Sequence, residues 1–232
     1  MAIDKMVLSQ SVANEDADFL SRFYPIDETA DWRLDLKDDC YQLQHINHRL
    51  SLSIDFRIGH YRHRNRHTGK EPLLRAIKIK QKLPQQIIDT TPGVLKDSFM
   101  LSGRGIKVIA IERSPILYVM VKRALAQTDS RIHYVFADAI DTLSAYTGEI
   151  IYLDPMYPAK KKSARVRKEM QMLHDLVGSD TDADQLLASA RAHASTINAR
   201  VVVKRPRYAA PLGGQQPSFT AQTKTTRFDI YL

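Results

Sequence analysis

Ile150-Ile151-Tyr152-Leu153-Asp154-Pro155-Met156-Tyr157-Pro158 is an apolar run that stops abruptly at an acid and two prolines. A short apolar segment bounded in this way reads as a strand buried on both faces, and proline cannot carry the ladder further. From about Gln85 onward such runs alternate with helix-like segments, the pattern of a parallel sheet covered by helices. The other strands expected are Gln86 to Asp89, Lys107 to Ile111, His133 to Phe136, Arg200 to Lys204 and Arg227 to Tyr231. The fold class is therefore α/β and Rossmann-like: a mostly parallel twisted sheet with helices on both faces and a C-terminal antiparallel strand. In open sheets of this kind ligands bind beyond the carboxyl ends of the strands, which puts Asp154 at the place where chemistry happens.

The helices announce themselves by spacing and caps. Ser114 followed by Pro115 reads as an N-cap and first helical residue, with Leu117, Val121, Ala124 and Leu125 repeating behind it. Val166, Met170, Leu173 and Val177 predict a second helix whose start is crowded by Lys160, Lys161, Lys162, Arg165, Arg167 and Lys168. Asp182 and Gln185 have the spacing of a capping box before Leu186, Leu187, Ala190, Ala194 and Ile197. Ser218 to Leu232 reads as two strands joined by a turn near Lys224. Before residue 80 the pattern changes: Trp32 to Asp38 and Ser51 to Phe56 alternate as half-buried strands do, and Glu71 to Lys80 fits a helix. The organisation expected is a small β-rich N-terminal subdomain over 1–79, with Trp32 in its core, and a main domain over 80–232.

Bulk composition narrows the function. The chain has 232 residues, 44% hydrophobic and 26% charged, which suits one substantial core with a small accessory domain. An excess of 34 Lys and Arg over 26 Asp and Glu gives +8 and favours a polyanionic partner. Cys40 has no second thiol for a disulfide, Met1 to Leu20 carries four acids and no signal-like apolar core, and no apolar run approaches the roughly 20 residues of a membrane helix. A cytoplasmic protein with no membrane association is expected.

Other residues bear on chemistry. Ile87-Ile88-Asp89-Thr90-Thr91-Pro92-Gly93-Val94-Leu95-Lys96-Asp97 reads as strand, tight turn and helix start, where a cofactor loop belongs; Gly93 allows close backbone approach. Glu112 follows the second strand, Asp138 the third and Asp154 the fourth, so Asp89 or Asp97, Glu112, Asp138 and Asp154 fall along one edge of the sheet within reach of a single ligand. His60, His63 and His67 invite a metal reading, but five Lys or Arg in Arg57 to Lys70 repel a cation and no acid or cysteine interleaves; no metal is expected. Phosphate contact by Arg57, Arg62, Arg64 and Arg66 is the functional reading of that segment, against a solvated loop.

Asp154-Pro155-Met156-Tyr157-Pro158 resembles the Asn/Asp-Pro-Pro-Tyr/Phe motif of methyltransferases that modify exocyclic amines. In those enzymes the acid or amide oxygen and a following backbone carbonyl accept hydrogen bonds from the NH2 group, while the aromatic ring stacks on an extruded base. An isolated Asp-Pro merely ends a strand; here Tyr157 and Pro158 follow a clean buried one. The resemblance extends further. Leu153 to Pro158, Lys162-Ser163-Ala164, Lys168-Glu169-Met170, Val201-Val202-Val203-Lys204-Arg205-Pro206 and Arg227-Phe228-Asp229-Ile230-Tyr231, with a looser match from Asp89 to Pro115, are similar to the RsmJ family of bacterial small-subunit ribosomal RNA guanine-N2 methyltransferases. The similarity covers roughly the C-terminal 150 residues.

That resemblance implies a class I methyltransferase fold, S-adenosyl-L-methionine as cofactor, and small-subunit (16S) ribosomal RNA or the 30S subunit as partner. It implies catalytic roles for Asp154, Pro155, Met156 and Tyr157, and cofactor contacts by Lys96, Asp97, Glu112, Arg113, Asp138, Ala139 and Asp154 beside Asp89 and Gly93. Lys160, Lys161, Lys162, Arg165, Lys204 and Arg205 join the basic segment as expected RNA contacts. The family's usual Ala-Thr-Ala-Gly-Leu-Gly-Arg-Asp stands here as Thr90-Thr91-Pro92-Gly93-Val94-Leu95-Lys96-Asp97, with one glycine fewer, and a serine pair is replaced by Asp138-Ala139. Two other readings share these residues: an adenine-N6 methyltransferase acting on RNA or DNA, and a noncatalytic RNA-binding protein of the same fold.

Overall fold

The computed structural model describes residues 3–58, 61, 71–156, 176 and 180–232. They group into two compact units, one of residues 3–58 with 114–129 and 176, the other of Tyr61 with 71–113, 130–156 and 180–232. The sequence suggested a boundary near residue 80; the helix after the second strand of the main sheet groups instead with the N-terminal unit.

In the first unit, strands β1 (Met6–Leu8), β2 (Trp32–Lys37), β3 (Cys40–His45) and β4 (Leu50–Ser53) form a sheet in that order, β1 parallel to β2 and the rest antiparallel. Strand β3 was not anticipated. Its hairpin with β2 turns on Asp38 and Asp39, both at positive φ (51° and 65°), a tight two-residue turn without the glycine that usually signals one. Trp32, Leu34, Tyr41, Leu43 and Phe56 make a buried core, as expected for Trp32. Helices α1 (Asn14–Ser21) and, further along the chain, Pro115–Leu125 belong to the same unit; Lys122 of the latter pairs with Glu15 and Asp16 of the former.

In the second unit, helix α2 (Pro72–Ala76) is half the length expected. Lys80 and Gln81 take positive φ and fold a turn that bridges Ile79 to Lys82, which a helix through Lys80 does not permit. The main sheet then holds β5 (Gln86–Asp89), β6 (Lys107–Glu112), β7 (His133–Phe136), β8 (Ile150–Leu153), β9 (Arg200–Pro206), β10 (Phe219–Gln222) and β11 (Thr226–Tyr231). Their order is β10-β11-β9-β8-β5-β6-β7, with β11 antiparallel to both neighbours and every other pairing parallel. From β5 the chain runs outward through β6 and β7, then returns to β8 on the other side of β5. Beyond the carboxyl ends of β5 and β8 lies the topological switch point, where ligands of such sheets bind.

Along the chain these strands are separated by α3 (Lys96–Ser102), α4 (Pro115–Leu125, of the first unit), α5 (Ala139–Thr142) and α6 (Ala183–Ile197). Helix α4 starts as read, with the Ser114 side chain accepting from the Leu117 N–H and Pro115 in the first turn. The helix expected around Val166 to Val177 lies outside the described residues. Leu186, Leu187 and Ala190 of α6 pack on Ile88, Ile151, Leu153, Val201 and Val203 in one buried cluster. Among the described residues no helix is long and apolar enough to cross a membrane.

Strand β11 is held by a buried ion pair: the Arg227 guanidinium reaches Asp229 at 2.6 and 2.9 Å, and Asp229 is fully buried. Removing one partner of such a pair leaves an uncompensated charge, at about 3–5 kcal/mol, whereas replacing both with apolar groups is often neutral. Arg227→Leu is therefore expected to lower unfolding free energy in urea by roughly 3 kcal/mol, and the double variant with Asp229→Leu to recover most of it. A double variant no better than the single one would show that the carboxylate is already satisfied without Arg227.

Candidate active site

Side chains alternate across a strand, so Ile151 and Leu153, packed on α6, force Tyr152 and Asp154 to the other face of the sheet. Ile88 likewise sends Asp89 there. In the parallel pairing of β8 with β9, Leu153 lies opposite Val203, which sets Lys204 beside Asp154. Helix α3 supplies Asp97 and Ser98 to the same face. Asp89, Asp97, Tyr152, Asp154 and Lys204 thus meet at the switch point.

Their bonds form a chain. The Tyr152 phenol donates to Asp97 Oδ2 at 2.7 Å, and Lys204 Nζ donates to the same oxygen at 3.1 Å and to Asp154 Oδ2 at 2.7 Å. The Asp154 N–H donates to Thr91 Oγ1 at 2.6 Å, tying the start of the motif to the loop after β5. Asp89 accepts from the Thr91 N–H (3.1 Å) and from the Ser98 hydroxyl (2.5 Å). Burial pushes the Asp89 carboxyl up to about 7, against the lowering effect of Ser98 and Thr91. Burial also raises Asp154, with Lys204 pulling it back down and Asp97 and Asp180 pushing it up. Lys204 stays firmly charged: its two carboxylate partners outweigh the cost of its burial.

The loop between β5 and α3 is the expected cofactor loop. Gly93 has φ +51°, and a side-chain carbon built on it meets nothing within 4 Å, so its face is open to a ligand. Its N–H donates to Glu112 Oε2 at 3.1 Å, and Glu112 ends β6 almost fully buried. Leu95, where the resembling family has its second glycine, holds the left-handed conformation (φ 57°, ψ 23°) that glycine would adopt without strain. An acid at the end of β6, an open glycine and an acid at the end of β7 suit a ligand with ribose hydroxyls and an adenine amine, so the donor set fits S-adenosylmethionine.

A second cluster surrounds Arg113. Its guanidinium reaches Asp180 at 2.6 Å, Asp182 at 2.5 Å and Asp138 at 3.7 Å. Asp182 occupies the N-cap position of α6, yet its side chain makes no cap bond because Arg113 holds it. Asp138 caps α5 by accepting from the Ile140 N–H at 2.8 Å, and Ala139 is buried behind it. Asp180 also accepts from the Met156 N–H at 2.7 Å, anchoring the motif from its far side.

Of the residues read from the sequence, the structure brings Asp89, Asp97 and Asp154 together, Gly93 and Glu112 together, and Arg113 with Asp138; Lys96 opens α3, half-buried. Pro155 is buried and Met156 half-buried beside Asp154. Three of the expected RNA contacts are engaged within the protein. Lys204 is clasped by two carboxylates; Arg205, on the opposite face, is nearly buried and donates to the Ala210 carbonyl (3.2 Å); Arg57 is spent on Asp55 (3.0 Å) and on the Asp38 carbonyl (2.7 Å). Arg62, Arg64, Arg66, Tyr157, Lys160, Lys161, Lys162 and Arg165 lie outside the described residues. Thr91, Ser98, Tyr152 and Asp180 were not singled out, although the alternation that places Asp154 also signals Tyr152. Among the described residues no group of His, Cys, Asp and Glu is placed to hold a metal ion.

A seven-stranded sheet of this order, with an acid at the end of each of its first strands and an open glycine in the first loop, defines a methyltransferase of the class that uses S-adenosylmethionine. Residues 20–232 match a family described as putative SAM-dependent methyltransferase. The chain is 41% identical over 196 residues to ribosomal RNA small subunit methyltransferase J of Thioalkalivibrio sulfidiphilus, covering 78% of this chain and 76% of that protein. To the protein of that name from Haemophilus ducreyi it is 37% identical, covering 89% and 87%. The crystal structure of a SAM-dependent methyltransferase from Neisseria gonorrhoeae superposes with a TM-score of 0.72 at 28% identity, over 98% of this chain and 95% of that one. The chain belongs to the ribosomal RNA small subunit methyltransferase J family of SAM-dependent methyltransferases.

Two outcomes follow from this geometry. Glu112→Ala is expected to weaken S-adenosylmethionine binding in calorimetric titration while leaving RNA affinity nearly intact, since the loop N–H and the ligand's hydroxyls lose a charged acceptor worth about 1.5–3 kcal/mol; unchanged cofactor affinity in the folded variant rules the role out. Leu95→Gly sets two effects against each other. Relief of the left-handed strain returns about 1–2 kcal/mol, but emptying a fully buried leucine site costs roughly 2–5 kcal/mol. Net destabilisation by about 1–3 kcal/mol in denaturant titration is expected, and a variant as stable as the parent would show that relief of the backbone strain fully offsets the lost packing.

Proposed function

We propose that this chain transfers a methyl group from S-adenosylmethionine to the exocyclic N2 of a specific guanine in small-subunit (16S) ribosomal RNA, in the cytoplasm, on naked RNA or on the 30S subunit. The observation that carries this reading is Asp154, held at the switch point by Thr91 through its N–H and by Lys204 through one carboxylate oxygen. The names of its relatives supply the RNA.

A guanine amine is a poor nucleophile because its lone pair is delocalised into the ring. Asp154 and a carbonyl of the following Pro155-Met156 segment accept hydrogen bonds from the NH2 group and hold the nitrogen nearer a tetrahedral geometry, with its lone pair aimed at the methyl. Positioning of this sort supplies much of the rate. Glu112 takes the ribose hydroxyls, Asp138 the adenine amine, and the backbone at Gly93 the approach of the ligand; Tyr157 stacks on the extruded base. The cofactor, when bound, supplies an electrophilic methyl group. The amine sheds its proton to water after the methyl arrives, so Asp154 acts as an orienting acceptor and no base is required before attack. Basic residues over 62–70 and 160–168 supply the phosphate contacts.

Single-turnover transfer from labelled donor to small-subunit RNA, with both components saturating, tests the assignment. Asp154→Ala removes a charge-assisted bond of about 1.5–3 kcal/mol and frees the nucleophile, where roughly 1 Å of misplacement adds about 100-fold. Almost no activity is expected from Ala and partial activity from Asn, whose amide oxygen still accepts. Full activity in Asp154→Ala moves the reaction centre elsewhere, and label on adenine in place of guanine overturns the assigned base.

A further inference from the structure

The Lys204 ammonium stands where phosphate binding does not explain it. It lies in the sheet, one residue beyond Val203, and the pairing of Leu153 with Val203 brings it alongside Asp154. Its nitrogen is shared between Asp154 Oδ2 (2.7 Å) and Asp97 Oδ2 (3.1 Å), and Asp97 is fixed in turn by the Tyr152 phenol (2.7 Å). The groups acting on Asp154 from the elements around it are Lys204 of β9, Asp97 of α3 and Asp180 before α6, with Asp89 of β5 and Tyr152 of β8 beside them. Among the described residues Lys204 is the cation bonded to Asp154 itself, while Arg113 pairs with Asp180 at 2.6 Å.

We propose that Lys204 is a positioning residue for methyl transfer, holding the Asp154 carboxylate charged and turned so that Oδ1 faces the incoming amine. The proposal rests on the reading of Asp154 as the amine's acceptor. Lys204 occupies Oδ2, and the Thr91 hydroxyl fixes the Asp154 backbone, so the acceptor is constrained at both ends. Without the ammonium, Asp154 loses the cation bonded to it and faces Asp97, while Asp180 stays paired with Arg113. It then takes up a proton and presents a donor where the amine needs an acceptor. Arg205, the next residue, falls on the opposite face and cannot replace it.

The test is single-turnover methyl transfer as a function of pH, with donor and RNA saturating, for wild type, Lys204→Met, Lys204→Arg, Asp154→Asn and the double variant that combines Lys204→Met with Asp154→Asn. Lys204→Met is expected to slow transfer near neutral pH by roughly 100-fold and to move the acid limb of the rate profile upward by about one pH unit or more. Lys204→Arg keeps the charge and recovers most of the rate. In the Asp154→Asn background the Met substitution costs little further, because a neutral amide needs no ammonium. RNA affinity and its salt dependence stay near wild type. Should the Met variant fail to fold, Lys204→Gln carries the same comparison, since a neutral donor keeps the contact but not the charge.

Wild-type rate and pH profile in the folded neutral variant, with Asp154→Ala inactive, overturns the proposal and leaves the Asp154 reading standing. Equal slowing by Lys204→Met in the wild-type and Asp154→Asn backgrounds also overturns it, by showing that the lysine does not act through the carboxylate. A reduced salt slope in place of a shifted profile returns Lys204 to phosphate binding. Full activity of Asp154→Ala marks the separate failure of the underlying reading.

Discussion

Everything at the candidate site depends on the two-residue period of β8. Because Ile151 and Leu153 must face α6 to close the core, Tyr152 and Asp154 are delivered to the face beneath α3. A slip of one residue would bury the acid in the aliphatic cluster and expose the leucine. The strand is fully buried and lies between β5 and β9, so its register is fixed on both sides. That fixes which side chains on the neighbouring strands meet Asp154: Asp89 is carried in from β5 and Lys204 from β9.

A charge constraint follows from that register. Asp89, Asp97 and Asp154 gather on one face of the sheet, where one ammonium bonds Asp97 and Asp154 but not Asp89, and a low-dielectric setting does not tolerate three ionised carboxylates against a single cation. The strain is met in two ways: burial pushes the Asp89 carboxyl up to about 7, and Ser98, Thr91 and Tyr152 supply neutral donors. Such separation of carboxyl groups by environment is what an active site uses to give neighbouring acids different tasks. Leu95 shows the same economy in the backbone, keeping a left-handed conformation because its side chain is completely buried.

Much of this was legible in the sequence because the decisive signals were local. The bounds of β5, β7 and β8, and the Ser114-Pro115 start of α4, agree with their apolar runs and caps. What escaped was set by tertiary partners or by turns of unusual composition. Strand β3 was hidden because its hairpin turns on two aspartates instead of Asn-Gly. The helix expected to reach Lys80 stopped at Ala76 because Lys80 and Gln81 form a turn. Asp182 has the spacing of a capping residue, but Arg113, 69 residues earlier, competes for its carboxylate and wins. Lys204 and Arg205 read as one basic patch, yet strand alternation sends one to the site and the other to the opposite face, and extending β9 to Pro206 was needed to see it.

The central claim is that one guanine amine of the small-subunit RNA is methylated at Asp154. Mass mapping of ribosomal RNA from cells lacking this gene tests it most directly. The account requires the loss of a single methyl group from N2 of one guanine, restored by the wild-type gene and not by an Asp154→Ala copy. Small-subunit RNA with its methyl groups unchanged, or a methyl lost from adenine instead, would contradict it.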